Sequence, residues 1–551
     1  MKPLPDWVTV LFDWRMRYGL AWVLAVGIGI ARIVNAYQAF GDGGRSDGNS
    51  GHTAIDFGGQ WLMGRLLATG HGRELFVRPR QWEVAQQAYP EQFESPLQKK
   101  HDADSLVGNF MGKTDARWEN VAGAWVALIG PSDPLQRAAV AMQAHDEWNP
   151  ELLAELNHPG KGDGIGGPLY PPVHAFVMLP LALGDHPQSA YFVMHYLQTL
   201  FCFLGGFAVS VMSRRRVWWP VAASLLLVYP GCRGAVDLGQ NAPMTVAILL
   251  CGWAAMSRQR LILGGAIWGL LVYKPVWGLS FGIMLLLMRQ WQAALAMAAT
   301  ATALCLATLP IVGVQTWLHW LHTGNEAAEL YNLDSNWIPL SRDVLNLPRR
   351  LMVDFTEPYR ERNRPLFTAA CWGLWLLIVE VTLRVLALRG RGKIPFHGPL
   401  PAMLALAAWM CTFHFMYYDA MISALGVMIL LSDPRPYFRL QVWKSTDART
   451  RVYASSFVLS LVATLLLYEC VARPMRWEMT AAPMEFTGAR TMHDESTEMS
   501  RRMIVGTNDR YPVDTLLLMT LWAWCGVAVC RRPLTNNHRD PATDEIRMNT
   551  G

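Results

Sequence analysis

The side chains that could carry out chemistry lie at the ends of apolar segments, where a membrane-spanning helix would meet water. A carboxylate can act as a general base, a lysine or arginine can stabilise a phosphate anion, and amides or a histidine can bind hydroxyl groups. Polar groups are costly at membrane depth, so those that persist near its surface are candidates for function. The candidates are Asp56, Arg65, Tyr170, Gln240, Asn241, Lys274, His414, Tyr418 and Asp419.

Each candidate also has a purely structural explanation. Asp56 could cap a helix, Lys274 could extend towards the membrane surface, and Arg65 could anchor its helix at the lipid headgroups. His414 and Asp419 could pair with each other. No single residue is specific for catalysis, and the gathering of acid, base, amide and cation on one membrane face is the more informative observation.

The composition is that of a membrane protein with some long polar loops. Of 551 residues, 52% are hydrophobic and 17% are charged, whereas a soluble protein carries about 25% charged residues. The net charge of +5 is spread along the chain and does not indicate a nucleic-acid partner. The nine cysteines show no metal-ligand spacing, and no glycine-rich phosphate loop follows a strand, so neither a metal nor a nucleotide-sugar site is predicted.

Apolar runs suited to helices recur from residue 18 to residue 530. A helix crosses the hydrocarbon core with about 20 residues, and lysine and arginine concentrate in cytoplasmic loops. Placing every cationic cluster in the cytoplasm predicts about twelve crossings. The long runs are 18–40, 188–212, 293–313, 366–388, 399–418, 453–471 and 513–530, and the shorter ones are 217–230, 241–256, 261–273, 276–288 and 420–431.

The segment 171–184 fits this threading only if it enters and leaves on the same side. Its three prolines favour a re-entrant or interfacial helix. The predicted fold is an all-α polytopic membrane protein with about twelve transmembrane helices, this additional helix and a large first extracytoplasmic loop. An amphipathic helix is expected in that loop, near 60–69.

These helix and loop predictions divide the chain into parts on either side of the membrane. The first apolar run is expected to stay in the protein as a helix and not to be cleaved as a signal peptide. The predicted parts are a cytoplasmic N-terminus 1–17, a transmembrane catalytic module 18–430 that includes the outer loops 41–170 and 314–365, a helical insertion 78–168 within the first loop, a C-terminal pair of helices 431–530 with the outer loop 472–512, and a disordered cytoplasmic tail 531–551.

The polar segments taken together resemble glycosyltransferase family 87, the polyprenol-phosphate-mannose-dependent mannosyltransferases of the GT-C fold. Five segments carry the resemblance, in the order in which the family has them. They are Asp56-Phe57 leading to Arg65-Leu-Leu-Ala-Thr-Gly70 and Leu75-Phe76, Tyr170-Pro-Pro-Val-His-Ala-Phe, Gly239-Gln240-Asn241, Tyr273-Lys274-Pro275, and His414-Phe-Met-Tyr-Tyr418-Asp419. The chain departs from the family in a longer insertion after Phe76 and in the last segment, where many relatives have a Ser-Trp-His type of sequence.

The resemblance implies a GT-C-like fold and transfer of a hexose, with mannose as the first candidate, from a polyprenyl-phosphate donor. The acceptor would be a glycolipid or glycan on the extracytoplasmic side of the cell membrane. The lipid-linked sugar would be a co-substrate, and no cofactor is implied.

In that family the general base is a carboxylate in the first outer loop, which maps to Asp56. The leaving phosphate is already stable as an anion, so one carboxylate suffices where glycosidases need two. Lys274 and Arg65, with Arg233 in reserve, are expected to stabilise the departing phosphate. The other candidates would bind sugar hydroxyls or phosphate oxygens, and a single in-line displacement would invert the anomeric centre.

Two other classes of function stay open at this point. A transporter or flippase of an envelope lipid or solute would also be polytopic, but transporters often repeat their binding elements in two halves, and no repeat is evident here. A non-catalytic subunit that holds envelope enzymes together is the third class, which the long insertion would suit.

Overall fold

The structure is a computed structural model whose regular elements are helices. It describes residues 13–41, 56–77, 80–81, 84, 87, 169–185, 187–333, 341–348, 365–390, 392–413, 415–432, 461–468 and 512–530. Three predicted parts lie almost entirely outside these residues: the insertion 78–168, the outer loop 472–512 and the tail 531–551.

The helices coincide closely with the apolar runs of the sequence. Three of them are extended by 3-10 helix, at Leu179–Leu181, Leu270–Tyr273 and Tyr417–Ser423, and a further helical stretch covers 461–468. The helices are α1 (Trp14–Gly41), α2 (Asp56–Ala68), α3 (Pro172–Met178), α4 (Pro187–Met212), α5 (Trp219–Leu227), α6 (Cys232–Asp237), α7 (Ala242–Ser257), α8 (Leu261–Gly269), α9 (Pro275–Leu287), α10 (Trp291–Leu333), α11 (Pro365–Arg389), α12 (Pro399–Met410), α13 (Ala424–Ser432) and α14 (Val513–Cys530).

Within the described residues, five helical segments are long and apolar enough to cross a membrane. Many of their large apolar side chains are exposed, such as Val23 on α1, Leu295 on α10 and Leu366 on α11, which is the surface that lipid chains would cover. The protein is therefore a multi-pass membrane protein, while the count of about twelve crossings stays a prediction. The five segments are Trp14–Tyr37, Pro187–Met212, Trp291–Gly324, Thr368–Arg389 and Val513–Cys530.

The shorter apolar helices form the interior of the bundle. α7 packs between α4 and α8, and α12 packs against α9, α13 and α14. Tryptophans from four of these helices are fully buried: Trp253, Trp268, Trp277 and Trp409. At about 1.5 Å of rise per residue, a helix of 12 to 16 residues is shorter than the hydrocarbon core, so these helices gain their stability from packing against one another.

Two sequence predictions are corrected by the structure. The run 399–418 is helical only to Met410, because the following residues pair with another segment: Phe415 accepts a hydrogen bond from the Arg342 backbone at 3.1 Å, and Met416 forms an antiparallel bridge with Ser341. The helix expected near 60–69 is present as α2, but it is not amphipathic, since it is buried on nearly all sides.

The outer loop predicted over 314–365 begins as helix. α10 continues to Leu333 beyond a non-helical residue at Gly313. In this second part, Thr316 Oγ1 donates to the Arg73 carbonyl at 3.0 Å, and Trp320 Nε1 donates to the Leu169 carbonyl at 3.1 Å. The second part of α10 is thus fixed against residues on both sides of the 78–168 segment.

A buried ion pair joins the 341–348 segment to the last helix. Arg342 Nε lies 2.9 Å from Asp514 Oδ2, and each side chain is only 2% exposed. Asp514 also accepts the backbone N–H of Thr515 at 2.7 Å. Because removal of one partner would leave a charge buried without compensation, this pair fixes the segment that supports Phe415 and Met416.

We predict that Arg342→Ala lowers the free energy of unfolding by about 3–5 kcal/mol, because the buried carboxylate of Asp514 would lose its guanidinium partner. Thermal unfolding of the purified protein in detergent, followed by tryptophan fluorescence, measures the effect. Arg384→Ala is the control: its ion pair with Glu380 is exposed and contributes at most about 1 kcal/mol. Equal effects of the two substitutions would contradict the prediction.

Candidate active site

The turn at residues 239–241, between α6 and α7, is surrounded by amide and phenol side chains. Gln60 Nε2 donates to the Gly239 carbonyl at 3.3 Å, and its Oε1 accepts from Asn241 Nδ2 at 3.3 Å. Tyr170 donates its hydroxyl hydrogen to Gln240 Oε1 at 3.1 Å. Three of the segments that the sequence singled out therefore meet at this turn.

The same turn positions the start of α2 by close packing. Gly239 has φ +65°, and a Cβ added there would lie 2.9 Å from Phe57 Cβ and 3.0 Å from Tyr191 Cε2. Only glycine permits this approach without strain. The backbone next to Asp56, the first residue of α2, is thereby held against the turn, while the side chain of Asp56 is not among the described ones.

Two residues of α4 complete the support of this turn. Gln198 Nε2 donates to the Ala235 carbonyl at 2.9 Å and also to the Gln240 carbonyl, and Tyr191 donates to the Asp237 carbonyl. Gln198 is fully buried in a predominantly apolar helix. A buried amide in such a helix is costly unless it is hydrogen-bonded, and that is the signal by which the sequence could have singled it out.

Lys274 and Asp419 form an ion pair inside the protein. Lys274 Nζ lies 2.8 Å from Asp419 Oδ1 and 3.0 Å from Oδ2, and the two side chains are 12% and 4% exposed. The ammonium group also lies 5.9 Å from the centroid of the Tyr418 ring. The lysine thus points to a carboxylate within the bundle rather than to the membrane surface, and His414, the other partner considered for Asp419, lies outside the described residues.

A close backbone contact brings the Lys274–Asp419 pair towards the 239–241 turn. A Cβ added at Gly231, which precedes α6, would lie 2.4 Å from the Tyr418 carbonyl oxygen and 2.8 Å from that of Tyr417. From the other side, Tyr273 shares a short hydrogen bond with Thr245, and its hydroxyl lies 3.5 Å from the Asn241 carbonyl. The 417–419 turn, the lysine and the 239–241 turn therefore form one site.

His174 lies between two tyrosines of this site and was not among the sequence candidates. Its ring stacks on that of Tyr170 with centroids 4.2 Å apart and on that of Tyr273 at 5.7 Å. The residue is fully buried, and neither ring nitrogen has a hydrogen-bond partner among the described residues. Its position within the Tyr170-Pro-Pro segment was visible in the sequence, but its burial was not.

The imidazole of His174 is neutral at physiological pH. Burial, aided by the nearby charge of Lys274, lowers the pKa of His174 to about 3. The residue belongs to α3, a seven-residue helix that is too short to cross a membrane. A neutral imidazole presents one donor and one acceptor, a pair that a single hydroxyl group can match.

The other two candidate cations are engaged elsewhere. Arg65 Nη1 donates to the carbonyls of Ala182 and Leu183, both at 3.4 Å, and Nη2 pairs with Asp185. Arg233 lies 3.4 Å from Asp237, one turn along α6. Arg65 therefore fastens α2 to the end of the 3-10 turn after α3, and its expected contact with a phosphate stays a prediction.

The structure and a comparison with known families together define the class of protein. Residues 169–416 match the model of Glycosyltransferase family 87. The family predicted from the sequence is thus confirmed over residues 169–416, and this segment lies within a multi-pass membrane protein. No curated protein and no solved structure matches the chain, so the GT-C-like arrangement stays a prediction.

The matched segment contains only part of the candidate site. Tyr170, the 239–241 turn and Lys274 lie within it, whereas Asp56 and Asp419 lie outside it. Among the residues that the structure describes, no group of three or more His, Cys, Asp or Glu side chains is placed to hold a metal ion. The described side chains of the site include a buried lysine–carboxylate pair, a neutral histidine and several amides.

We predict that Gly239→Ala destabilises the protein by about 2–4 kcal/mol, through the positive φ angle and the overlap with Phe57 and Tyr191. Gly70→Ala is the matched control, since Gly70 has φ +86° but nothing within 4 Å of an added Cβ. That control should lose only about 1–2 kcal/mol. Thermal unfolding of both variants makes the comparison, and losses of the same size would contradict close packing at the turn.

Proposed function

We propose that the protein transfers a hexose, with mannose as the first candidate, from a polyprenyl-phosphate donor to a glycolipid or glycan acceptor. The reaction takes place at the extracytoplasmic face of the cell membrane and inverts the anomeric centre. Asp56 is the general base. Membership of family 87 supports sugar transfer, and the donor, the acceptor and the mechanism are the proposed part.

The observation that carries this proposal is the buried Lys274–Asp419 pair. Departure of a polyprenyl phosphate places negative charge on oxygen, and a preorganised cation in a site of low dielectric constant stabilises that charge more than water does. Asp419 holds the ammonium group in position through both carboxylate oxygens. The proposed role of Lys274 is to contact the phosphate, and that of Asp419 is to position Lys274.

The surroundings of the pair suit a sugar. Gln240 and Asn241 supply amides, and the aromatic rings of Tyr170, Tyr273 and Tyr418 lie around the pair and His174. The donor and acceptor atoms of a neutral imidazole and of amides are those that bind sugar hydroxyls. The packing of Phe57 on Gly239 supports a general base at residue 56 close to the same turn.

Asp56→Asn is expected to lower the transfer rate by at least about 10²–10⁴-fold, because the acceptor hydroxyl would lose its general base. The assay follows radiolabelled mannose from a polyprenyl phosphate into lipid or glycan product, with the purified protein in proteoliposomes. Asp185→Asn, which changes an exposed carboxylate of the same face, is the control and should retain transfer. Normal turnover by Asp56→Asn would end its assignment as the base.

Lys274→Met is expected to lower kcat/KM for the lipid-linked donor by about 10²-fold or more. The substitution also leaves Asp419 buried without its partner, so the double variant Lys274→Met/Asp419→Asn separates the two effects. The double variant should recover thermal stability and stay inactive in transfer. Recovery of both stability and kcat/KM would make the pair purely structural.

The same proteoliposomes distinguish transfer from transport. A transporter or flippase would move a labelled solute or lipid across the bilayer without forming a covalent product. Product formation that depends on the polyprenyl-phosphate donor supports the proposal, and movement of label without product would replace it.

A further inference from the structure

A second site lies at the other end of the helical bundle. α7 runs from the 239–241 turn to Ser257, and α13 continues from the turn that holds Asp419 to Ser432. At about 1.5 Å of rise per residue, the C-terminal ends of α7 and α13 lie roughly 20 Å from the candidate active site. A cavity of about 440 Å³ opens at that end, and Ser257 and Ser432 both line it.

The lining of this cavity combines cations with neutral hydrogen-bonding groups. Arg214, Arg216 and Lys393 contribute the positive charges, and Gln259 and Gln290 contribute amides. None of the described residues that line the cavity carries a carboxylate. Such a lining favours an anion, and guanidinium and ammonium groups bind phosphate oxygens through short, charge-assisted hydrogen bonds.

Three turns at this end carry a long polar side chain at a position with a positive φ angle. Glycine adopts such a φ angle with the least steric strain. Arg214 has φ +54°, Gln259 φ +64° and Arg289 φ +59°. Each follows the last turn of a helix, a position that glycine usually occupies because other residues are strained there. Arg214 and Gln259 both line the cavity, whereas Arg289 and the neighbouring Arg215, which also has a positive φ of +62°, do not.

The segment that carries Lys393 is held firmly against the bundle. Gln290 Nε2 donates to the Ile394 carbonyl at 2.8 Å, and the Ile394 N–H donates to the Met288 carbonyl at 3.2 Å. Trp253 Nε1 donates to the Phe396 carbonyl at 3.0 Å. The cavity wall is therefore preorganised, which lowers the entropic cost of binding.

We propose that this cavity is a binding site for a phosphate group. It lies at helix ends, the level at which lipid headgroups are found, so an anionic phospholipid is one source and a water-soluble phosphate compound is the other. The excess of cations in cytoplasmic loops explains positive charge at this end of the protein. It does not explain a neutral glutamine in a strained turn or the gathering of charges around one cavity. The site is independent of the proposed sugar transfer.

The test compares two triple variants of the full-length protein that remove the same number of charges from the same end. Arg214→Gln/Arg216→Gln/Lys393→Gln changes the cavity, and Arg258→Gln/Arg260→Gln/Arg289→Gln changes exposed cations outside its lining. Thermal stabilisation in detergent is titrated with inorganic phosphate at constant ionic strength. In nanodiscs, native mass spectrometry counts retained phosphatidylglycerol against retained phosphatidylcholine.

We expect the cavity variant to bind the phosphate group at least about tenfold more weakly than the unmodified protein, and the control variant to bind within about twofold of it. If the cavity variant binds inorganic phosphate more weakly, the ligand is a soluble phosphate compound. If only its retention of phosphatidylglycerol falls, the ligand is a lipid headgroup. Equal losses in both variants, or no loss in either, would overturn the proposal.

A pair of single variants repeats the test if a triple variant fails to fold. Lys393→Gln is compared with Arg289→Gln, and binding should weaken by about threefold or more in the first only. Arg214→Gly adds a second measurement, since it relieves the strained φ angle. It should raise the thermal stability of the protein without ligand and weaken phosphate binding, and unchanged binding would again count against the site.

Discussion

The turn between α6 and α7 is held by side chains from helices that are far apart in the sequence. Gln60 on α2 and Gln198 on α4 donate to its carbonyl groups, and Tyr170 donates to Gln240. The amide side chains around this turn are buried away from water, so the backbone carbonyl groups of the turn depend on donors within the chain. The relative positions of α2, α4 and α7, and with them the candidate site, depend on this requirement.

The ion pairs of the protein differ in how deeply they are buried, and therefore in how strongly each charge depends on its partner. The pairs Lys274–Asp419 and Arg342–Asp514 are buried, and loss of one partner would be costly in each case. Arg65–Asp185 is partly open to solvent, where an ion pair contributes little. In the proposed reaction the buried Lys274 is therefore the preferred cation for the phosphate, while the observed contacts of Arg65 attach α2 to the end of the 3-10 helix after α3.

Much of this arrangement could be predicted from the sequence, because apolar runs mark the helices and polar segments mark the helix ends that meet at the candidate site. The meeting of Tyr170, Gln240, Asn241 and Lys274 at one site agrees with those patterns. Contacts between distant residues could not be predicted. The environment of His174, for example, depends on how three helices pack, and periodicity within one helix does not report it. The burial of α2 was missed for the same reason, since Gly64 allows it to approach Ala182 and no single-helix pattern shows that approach.

The Arg342–Asp514 pair also sets an order of events during biosynthesis. The two residues are 172 positions apart, and at about 5–20 residues per second the ribosome needs roughly 10 to 30 seconds to pass from one to the other. Until α14 enters the membrane, the guanidinium group has no carboxylate from that helix, and the segment 341–348 cannot reach its final position. The turn at 415–416, which pairs with that segment, must wait as well. Completion of the candidate active site is therefore tied to the synthesis of α14, so a chain that stops before α14 would contain the family 87 segment without a finished site.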